Sequence, residues 1–291
     1  MTGTPETTGR PQRATDQPDT PLHLRKEIRS TDHNEGMELV SGTVVRWAEV
    51  SAHLCRVTIA APTVARDPVW ATPNVAVRLR IGSGPDQVSR IYTVRSCSTA
   101  EATIDVDVVR HGHPSPMMTW LADLAVGRPI EFVGPRPHMQ IPELRGRPAA
   151  LFADDTAVPA LFTLLQQPPA GLRGVGWVAT DDAAAYAELP QVPGLDLHRI
   201  EPGRGYGSAL ATLDDPAGYV VWGAGERDEM RAVRSFFRSG HGVAKSDVAV
   251  FGYWKRGTSN TRIDEVRLTA YQQLLARGGT VAELEDLDLD V

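Results

Sequence analysis

Arg90-Ile91-Tyr92-Thr93-Val94-Arg95 places three kinds of chemistry within six residues. A guanidinium is a two-pronged donor for phosphate, a phenol offers a flat face, and a threonine hydroxyl donates or accepts one hydrogen bond. A flavin nucleotide uses those groups: a cation at its phosphates, a ring against its isoalloxazine, a hydrogen-bonding group near N5. An ordinary half-exposed strand, with Arg90 and Arg95 in solvent, satisfies the same pattern. His111 and His113 form a second polar group. A metal site needs further ligands, and no second ligand pair accompanies them, so no metal is expected. Two later segments combine acids with tight turns, Asp154-Asp155-Thr156 and Gly223-Ala224-Gly225-Glu226, and a third reads Tyr253-Trp254-Lys255-Arg256-Gly257. Gly203-Arg204-Gly205-Tyr206-Gly207 is glycine-rich, but no complete Gly-x-Gly-x-x-Gly is present and the stretch reads as a loop.

The elements that must position these residues change in kind along the chain. Alternating apolar residues mark strands at 42–47, 53–60 and 74–81, the last with Val75, Val77, Leu79 and Ile81 on one face and Arg78 and Arg80 on the other. Ile104, Val106 and Val108 continue the pattern. The Arg-x-Tyr-Thr stretch between them is expected where one strand ends and the next begins. Gly82-Ser83-Gly84-Pro85 reads as a turn, and Ile130 to Gly134 as a last strand. Short strands separated by turns predict a small antiparallel barrel. Ser115 and Pro116 suit the cap and first position of a helix over 117–124, with Gly127 as its stop. A helix N-terminus there is a candidate anion site; a simple capped surface helix is the alternative.

From Pro148 the pattern alternates strand and helix. Strands are expected at 149–153, 174–180, 195–200, 218–223 and 247–252, and helices at 181–187 and 226–239. A further helix is expected after Asp154-Asp155-Thr156, which would cap it, with Val158, Leu161, Phe162 and Leu165 as its apolar stripe. Such alternation predicts a parallel sheet with helices on both faces, and ligands at the C-terminal ends of its strands. The fold class expected is therefore an antiparallel barrel followed by a parallel-sheet α/β nucleotide-binding domain. Its bounds would be a disordered leader at 1–38, the barrel at 39–147, the α/β domain at 148–257, and a C-terminal segment at 258–291 with a helix from Ile263 to Arg277 and an acidic tail.

Bulk properties narrow the function. A chain of 291 residues that is 42% hydrophobic can build two domains. A formal net charge of −6 argues against nucleic acid as the main partner. Two cysteines, Cys55 and Cys97, cannot ligate an iron–sulfur cluster or a four-thiolate zinc, and Cys55 falls in an apolar alternation that would bury it. No apolar run is long enough for a membrane span, and the N-terminus lacks the apolar core of a secretory signal, so a soluble cytoplasmic protein is expected; a monomer is the expected state.

Barrel first and nucleotide half second, with Arg-x-Tyr-Thr on the barrel, resembles the ferredoxin–NADP reductase superfamily. The finer resemblance is to the siderophore-interacting proteins, flavin-dependent ferric-siderophore reductases. It is carried by Arg90 to Arg95, by Gly134-Pro135-Arg136, by Asp154-Asp155-Thr156-Ala157-Val158-Pro159-Ala160, and by Gly223 to Glu226 followed by Gly252-Tyr253-Trp254-Lys255-Arg256-Gly257. The chain departs from the family at Ser115 to Trp120, where a Gly-Pro-Ala run usually precedes the tryptophan, and at Asp155, where the family has glutamate.

The resemblance implies FAD as cofactor and NADPH or NADH as electron donor, with a ferredoxin as another possible source. It implies Arg90 on phosphate, Tyr92 against the ring, Thr93 near N5, and further flavin contacts from Val94, Val109, His111, Met118 and Thr119. Asp155, Thr156, Gly225 and Glu226 would face the nicotinamide, and Tyr253 and Trp254 would cover the ring. Arg78, Arg136 and Lys255 would receive an anionic ferric siderophore, and catalytic roles would fall to Tyr92, Thr93 and Lys255. A flavin reductase with a non-iron acceptor and a flavin-free binding protein of the same fold are the alternatives.

Overall fold

The computed structural model describes residues 37–82 and 87–258, together with Thr269, Gln273 and Arg277. Residues 1–36 of the expected leader, the tip of the turn at Ser83-Gly84-Pro85, the acidic tail and all but Thr258 and those three positions of the terminal segment lie outside the described residues; Glu38, expected in the leader, opens the first strand.

Six antiparallel strands close a barrel in the order β1-β2-β5-β4-β3-β6. They are β1 (Glu38–Glu49), β2 (Leu54–Ala60), β3 (Val75–Ile81), β4 (Val88–Ser98), β5 (Thr103–Val109) and β6 (Pro129–Pro137). Alternation explains the closure: Val75, Val77, Leu79 and Ile81 point into the core while Arg78 and Arg80 take the outer face. Val57, Ile59, Val106 and Phe132 complete the interior, and Trp70 meets Phe132 edge-on at 5.9 Å. Gly42 is required where β1 crosses this core, because a Cβ there would stand 2.8 Å from Ile59 Cγ2. Helix α1 (Pro116–Ala122) packs Met117 and Trp120 into the same core. It ends at Asp123, and Gly127, with φ of +87°, turns the chain toward β6 instead of stopping the helix.

The expectation that the Arg-x-Tyr-Thr stretch joins two strands is corrected. Residues 90–95 lie within the single long β4. The apolar alternation on either side that suggested a boundary belongs to the neighbouring strands β3 and β5, and β4 runs unbroken between them.

The second half is a parallel five-stranded sheet in the order β11-β10-β7-β8-β9. Its strands are β7 (Ala149–Asp154), β8 (Gly174–Ala179), β9 (Leu195–Ile200), β10 (Val220–Glu226) and β11 (Val248–Trp254). Helices α2 (Val158–Gln166) and α3 (Ala183–Ala187) accompany one core, with Leu151, Ala153, Leu161 and Leu165. Helices α4 (Gly207–Leu210) and α5 (Arg227–Ser235) accompany the other, with Phe152, Trp177, Met230 and Val233. Neighbouring residues of β7 thus point to opposite faces, as burial on both sides demands.

Three helix ends differ from expectation. Asp154 does not cap α2, whose N-cap is Ala157 without a side-chain bond; Asp154 is the last residue of β7 and turns back on Thr156. The helix expected from residue 181 begins at Ala183, capped by Asp182, which accepts from Ala184 and Ala185 N–H. Glu226 caps α5, which closes in a π turn over Phe236–Gly240.

Candidate active site

Most of the residues assigned to the flavin lie along or just after a gap in the strand pairing of the barrel wall. The ladder between β4 and β5 runs from Ser98↔Thr103 only as far as Val94↔Val106. Beyond it β5 stays paired with β2 through Val109, while Val88 to Thr93 pair with β3 alone among the described ladders. The irregularity between Val94 and Ser96 is where the two strands part company. Arg90, Tyr92, Thr93 and Val94 form one lip of this gap; Val109, His111, Met118 and Thr119 follow on the chain that leaves the other lip into α1. An unpaired strand edge with a ring and a hydroxyl beside it is a cradle that fits a flavin nucleotide.

The lip residues differ in setting. Tyr92 and Val94 share the inner face with the barrel core, while Thr93 turns outward, in register with Ala76 and then Arg136. Burial pushes the Tyr92 phenol well above its ordinary range, so it stays protonated. Arg90 donates to the Ser89 carbonyl at 2.8 Å. At the start of α1, Met118 N–H is given to Ser115 Oγ at 3.2 Å and Thr119 Oγ1 donates to the Ser115 carbonyl at 3.2 Å. His111 is exposed.

The second cluster lies at the C-terminal edge of the sheet. Strands β7 and β10 are neighbours there, and the chain order reverses between them, which makes their ends the switch point where open α/β sheets bind ligands. Asp154 is the hub. Its Oδ1 accepts from Thr156 N–H at 2.9 Å and Thr156 Oγ1 at 2.6 Å, and its Oδ2 accepts from Trp254 Nε1 at 2.6 Å. One carboxylate therefore ties the ends of β7 and β11. Burial pushes it up, against the hydrogen bonds from Thr156 and Trp254. Gly225 passes so close that a Cβ would sit 2.7 Å from Asp154 Cγ, and its φ of +152° is one that residues with side chains rarely adopt. Glu226 is committed to structure: Oε2 accepts from Asp228 and Glu229 N–H, and Oε1 from Arg256 N–H. Asp155 is half-buried; burial raises its carboxyl, opposed by a Thr180 hydrogen bond and reinforced by Asp154, Asp182 and Asp181.

The rim cations sit apart. Arg136 is on the outer face with Thr93, and Arg78 is in the neighbouring row with Ile91 and Val133, its Nη1 3.1 Å from Ser89 Oγ. Lys255 opens the turn after β11 that Thr258 N–H closes on its carbonyl, whereas its neighbour Arg256 is paired with Glu229 at 3.2 Å. Tyr253 is a half-buried neighbour of the sheet core, and burial raises its phenol. Chain separation hid several participants. Asp154 was legible as part of an acid pair but not as its buried member. Asn74, with φ of 53°, and His138, set edge-on to Phe251 and Tyr253, carry no short-range signal.

Residues 79–139 match the family described as the siderophore-interacting FAD-binding domain, and residues 147–257 that described as siderophore-interacting protein. The ferric acinetobactin reductase of Acinetobacter baumannii is 34% identical over 272 residues, covering 90% of this chain and 94% of that protein. The ferric vibriobactin reductase ViuB of Vibrio cholerae is 25% identical over 191 residues, 62% of this chain and 69% of its own. Among solved structures, the siderophore-interacting protein of A. baumannii superposes with a TM-score of 0.76 at 32% identity, over 82% of this chain and 99% of its own. Shared sequence over nine-tenths of the chain, on a barrel followed by a parallel sheet, settles the relationship: the chain belongs to the siderophore-interacting protein family.

Proposed function

We propose that the chain is an FAD-dependent ferric-siderophore reductase drawing electrons from NADH or NADPH. One observation supports this above others: β4, whose open edge lines the barrel gap, also packs on α2, the helix that begins just beyond the switch point. A flavin site and a nicotinamide site would then meet along one strand–helix contact. Bound FAD supplies the conversion between a two-electron hydride donor and one-electron ferric acceptors. The overall balance is one dihydronicotinamide oxidised, one proton released and two ferric ions reduced. Ferrous iron is held weakly by the oxygen ligands that hold ferric iron tightly, so reduction is release.

On this proposal the barrel, 39–147, holds FAD and the α/β half, 148–257, holds the nicotinamide. Arg90 binds phosphate, Tyr92 lies against the ring as a neutral phenol, and the Thr93 hydroxyl, on the outward face, hydrogen-bonds at the reacting edge. Val94, Val109, His111, Met118 and Thr119 line the gap. Asp155 and Thr156 face the nicotinamide, Gly225 lets its backbone approach, and Glu226 shapes the cleft as the cap of α5. Tyr253 and Trp254 exclude water from the sheet side, Trp254 being fixed by its bond to Asp154. Arg78, Arg136 and Lys255 attract the anionic ferric complex to the rim.

The test begins with the purified protein and its flavin content. Anaerobic addition of NADH or NADPH should bleach the flavin, and a ferric catecholate added next should yield iron to a ferrous chelator. Bleaching without iron release would move the acceptor to another class of molecule. A colourless protein that takes up no FAD would end the proposal.

A further inference from the structure

Arg95 belongs to the quoted motif but to none of the roles above. It follows Thr93 by two residues on β4 and is 5% exposed. Its guanidinium lies 3.5 Å from the centroid of the Phe162 ring. Its Nη2 donates to Glu188 Oε2 at 2.7 Å, and its Nε is 3.4 Å from Asp107 Oδ2. Arg56 on β2 holds the same two acids, at 2.7 Å to each. Two barrel arginines and a barrel aspartate thus close on a glutamate at the end of α3 and a ring on α2. Opposite charges in equal number, with planar guanidinium geometry, satisfy one another in this seam.

The same helix is anchored farther along. Asn74 N–H donates to Thr163 Oγ1 at 2.9 Å, and Gln167 Nε2 to the Ala71 carbonyl at 3.2 Å. Along β4, Arg95 is roughly 7 Å from Thr93, and along α2, Phe162 is about one turn from the residues following Thr156. Arg95 therefore clamps the two elements that carry the reacting positions, one short step from each.

We propose that Arg95 is a positioning residue that sets the spacing between Thr93 and the Asp155–Thr156 end of the sheet, and with it the alignment of the nicotinamide for hydride transfer. This rests on the function proposed above. In that step the hydride leaves the dihydronicotinamide, which is oxidised, and is taken by the oxidised flavin. Alignment governs this half-reaction alone, since delivery of electrons to the iron takes place at the barrel rim.

Arg95→Leu should slow anaerobic flavin reduction by the nicotinamide about thirtyfold, as a displacement near 1 Å can. Iron reduction by chemically prereduced protein should stay within about twofold. Glu188→Gln, milder because Glu188 is half-exposed, should show the same split at about fivefold. Hydrogen exchange supplies a readout independent of turnover: Arg95→Leu should raise exchange in α2 and α3 and leave β1 and β6 as in the parent. Equal hydride-transfer rates in parent and both variants would overturn the proposal. So would a parallel fall of both half-reactions with loss of flavin, which would make Arg95 a flavin-binding or folding residue. A parent that accepts no hydride from either nicotinamide would remove the proposed electron donor and this inference with it.

Discussion

The barrel gap and the sheet edge face the same chemistry with opposite strategies. At the gap, an open edge arises because pairing is missing: residues 88–93 of β4 lie ahead of its ladder with β5, and Tyr92 faces the core while Thr93 faces outward. At the sheet edge, nearly every acid is already bonded. Asp154 holds Thr156 and Trp254, Glu226 caps α5 and holds Arg256 N–H, and Asp182 caps α3 and accepts from Ser51 Oγ. Buried carboxylates cost free energy unless saturated with donors, and these acids are spent on holding the strand and helix ends. On the proposed function, contact with the nicotinamide is left to backbone, to Gly225, and to Asp155 and Thr156. A list of polar residues at strand ends does not separate the two kinds; the hydrogen-bond accounting does.

The sharpest way to break that contrast is Gly225→Val. The added side chain meets the Asp154 carboxyl at 2.7 Å and takes a φ that valine resists. Hydride transfer should fall about a hundredfold, while flavin per chain stays normal because the gap is untouched. Flavin loss with normal hydride transfer per bound flavin would place Gly225 on the other side of the comparison. Arg90→Ala probes the gap itself. Removing one charge-assisted contact should weaken FAD binding by about 1.5–3 kcal/mol, measured by fluorescence titration of flavin-free protein. Unchanged affinity would take the phosphate away from Arg90.

These two variants also mark how far sequence carries. Alternation at Val75 to Ile81 and the apolar run of β7 declare barrel and parallel sheet, because period and burial are local properties. Gly225 could be singled out because only glycine follows such a path. The ends of β4 and β5 could not be read, since the parting of two strands depends on a one-residue irregularity and not on residue type. The seam was invisible for a plainer reason: Arg95 and Glu188 are 93 positions apart, and Arg56 and Glu188 132. Spacing arguments reach along one element; they do not cross between two.

His138 lies between the regions, following β6 and touching Phe251 and Tyr253 of β11. Burial, with help from Arg136, pushes its imidazole down to about 4. The unfolded chain takes up a proton near pH 6.5 that the folded one refuses. This contribution to stability is therefore whole above about pH 6.5 and is lost as pH falls toward 4. His138→Phe should remove that loss, so that the melting temperature drops less between pH 7 and pH 5 than in the parent, by a few degrees. Parallel pH profiles would mean that the ring is solvated when folded.

The smallest effect tests whether the rim belongs to the gap side. Lys255 leaves β11 immediately after Trp254, in a turn where its neighbour Arg256 is already paired with Glu229. A half-exposed ammonium in such a place acts through encounter more than through affinity, and salt screens it. Lys255→Ala should therefore lower the second-order rate of iron reduction about threefold at low ionic strength, with the difference vanishing near 0.5 M salt. Anionic ferric complexes should feel it and neutral ones should not. Flavin reduction by the nicotinamide should be unmoved, because on the proposed function the sheet edge draws on Gly225 and Asp155 rather than on this cation. An equal loss for neutral and anionic acceptors would make Lys255 part of the fold of the closing turn, and no loss at any salt would place the acceptor's approach at Arg78 and Arg136 alone.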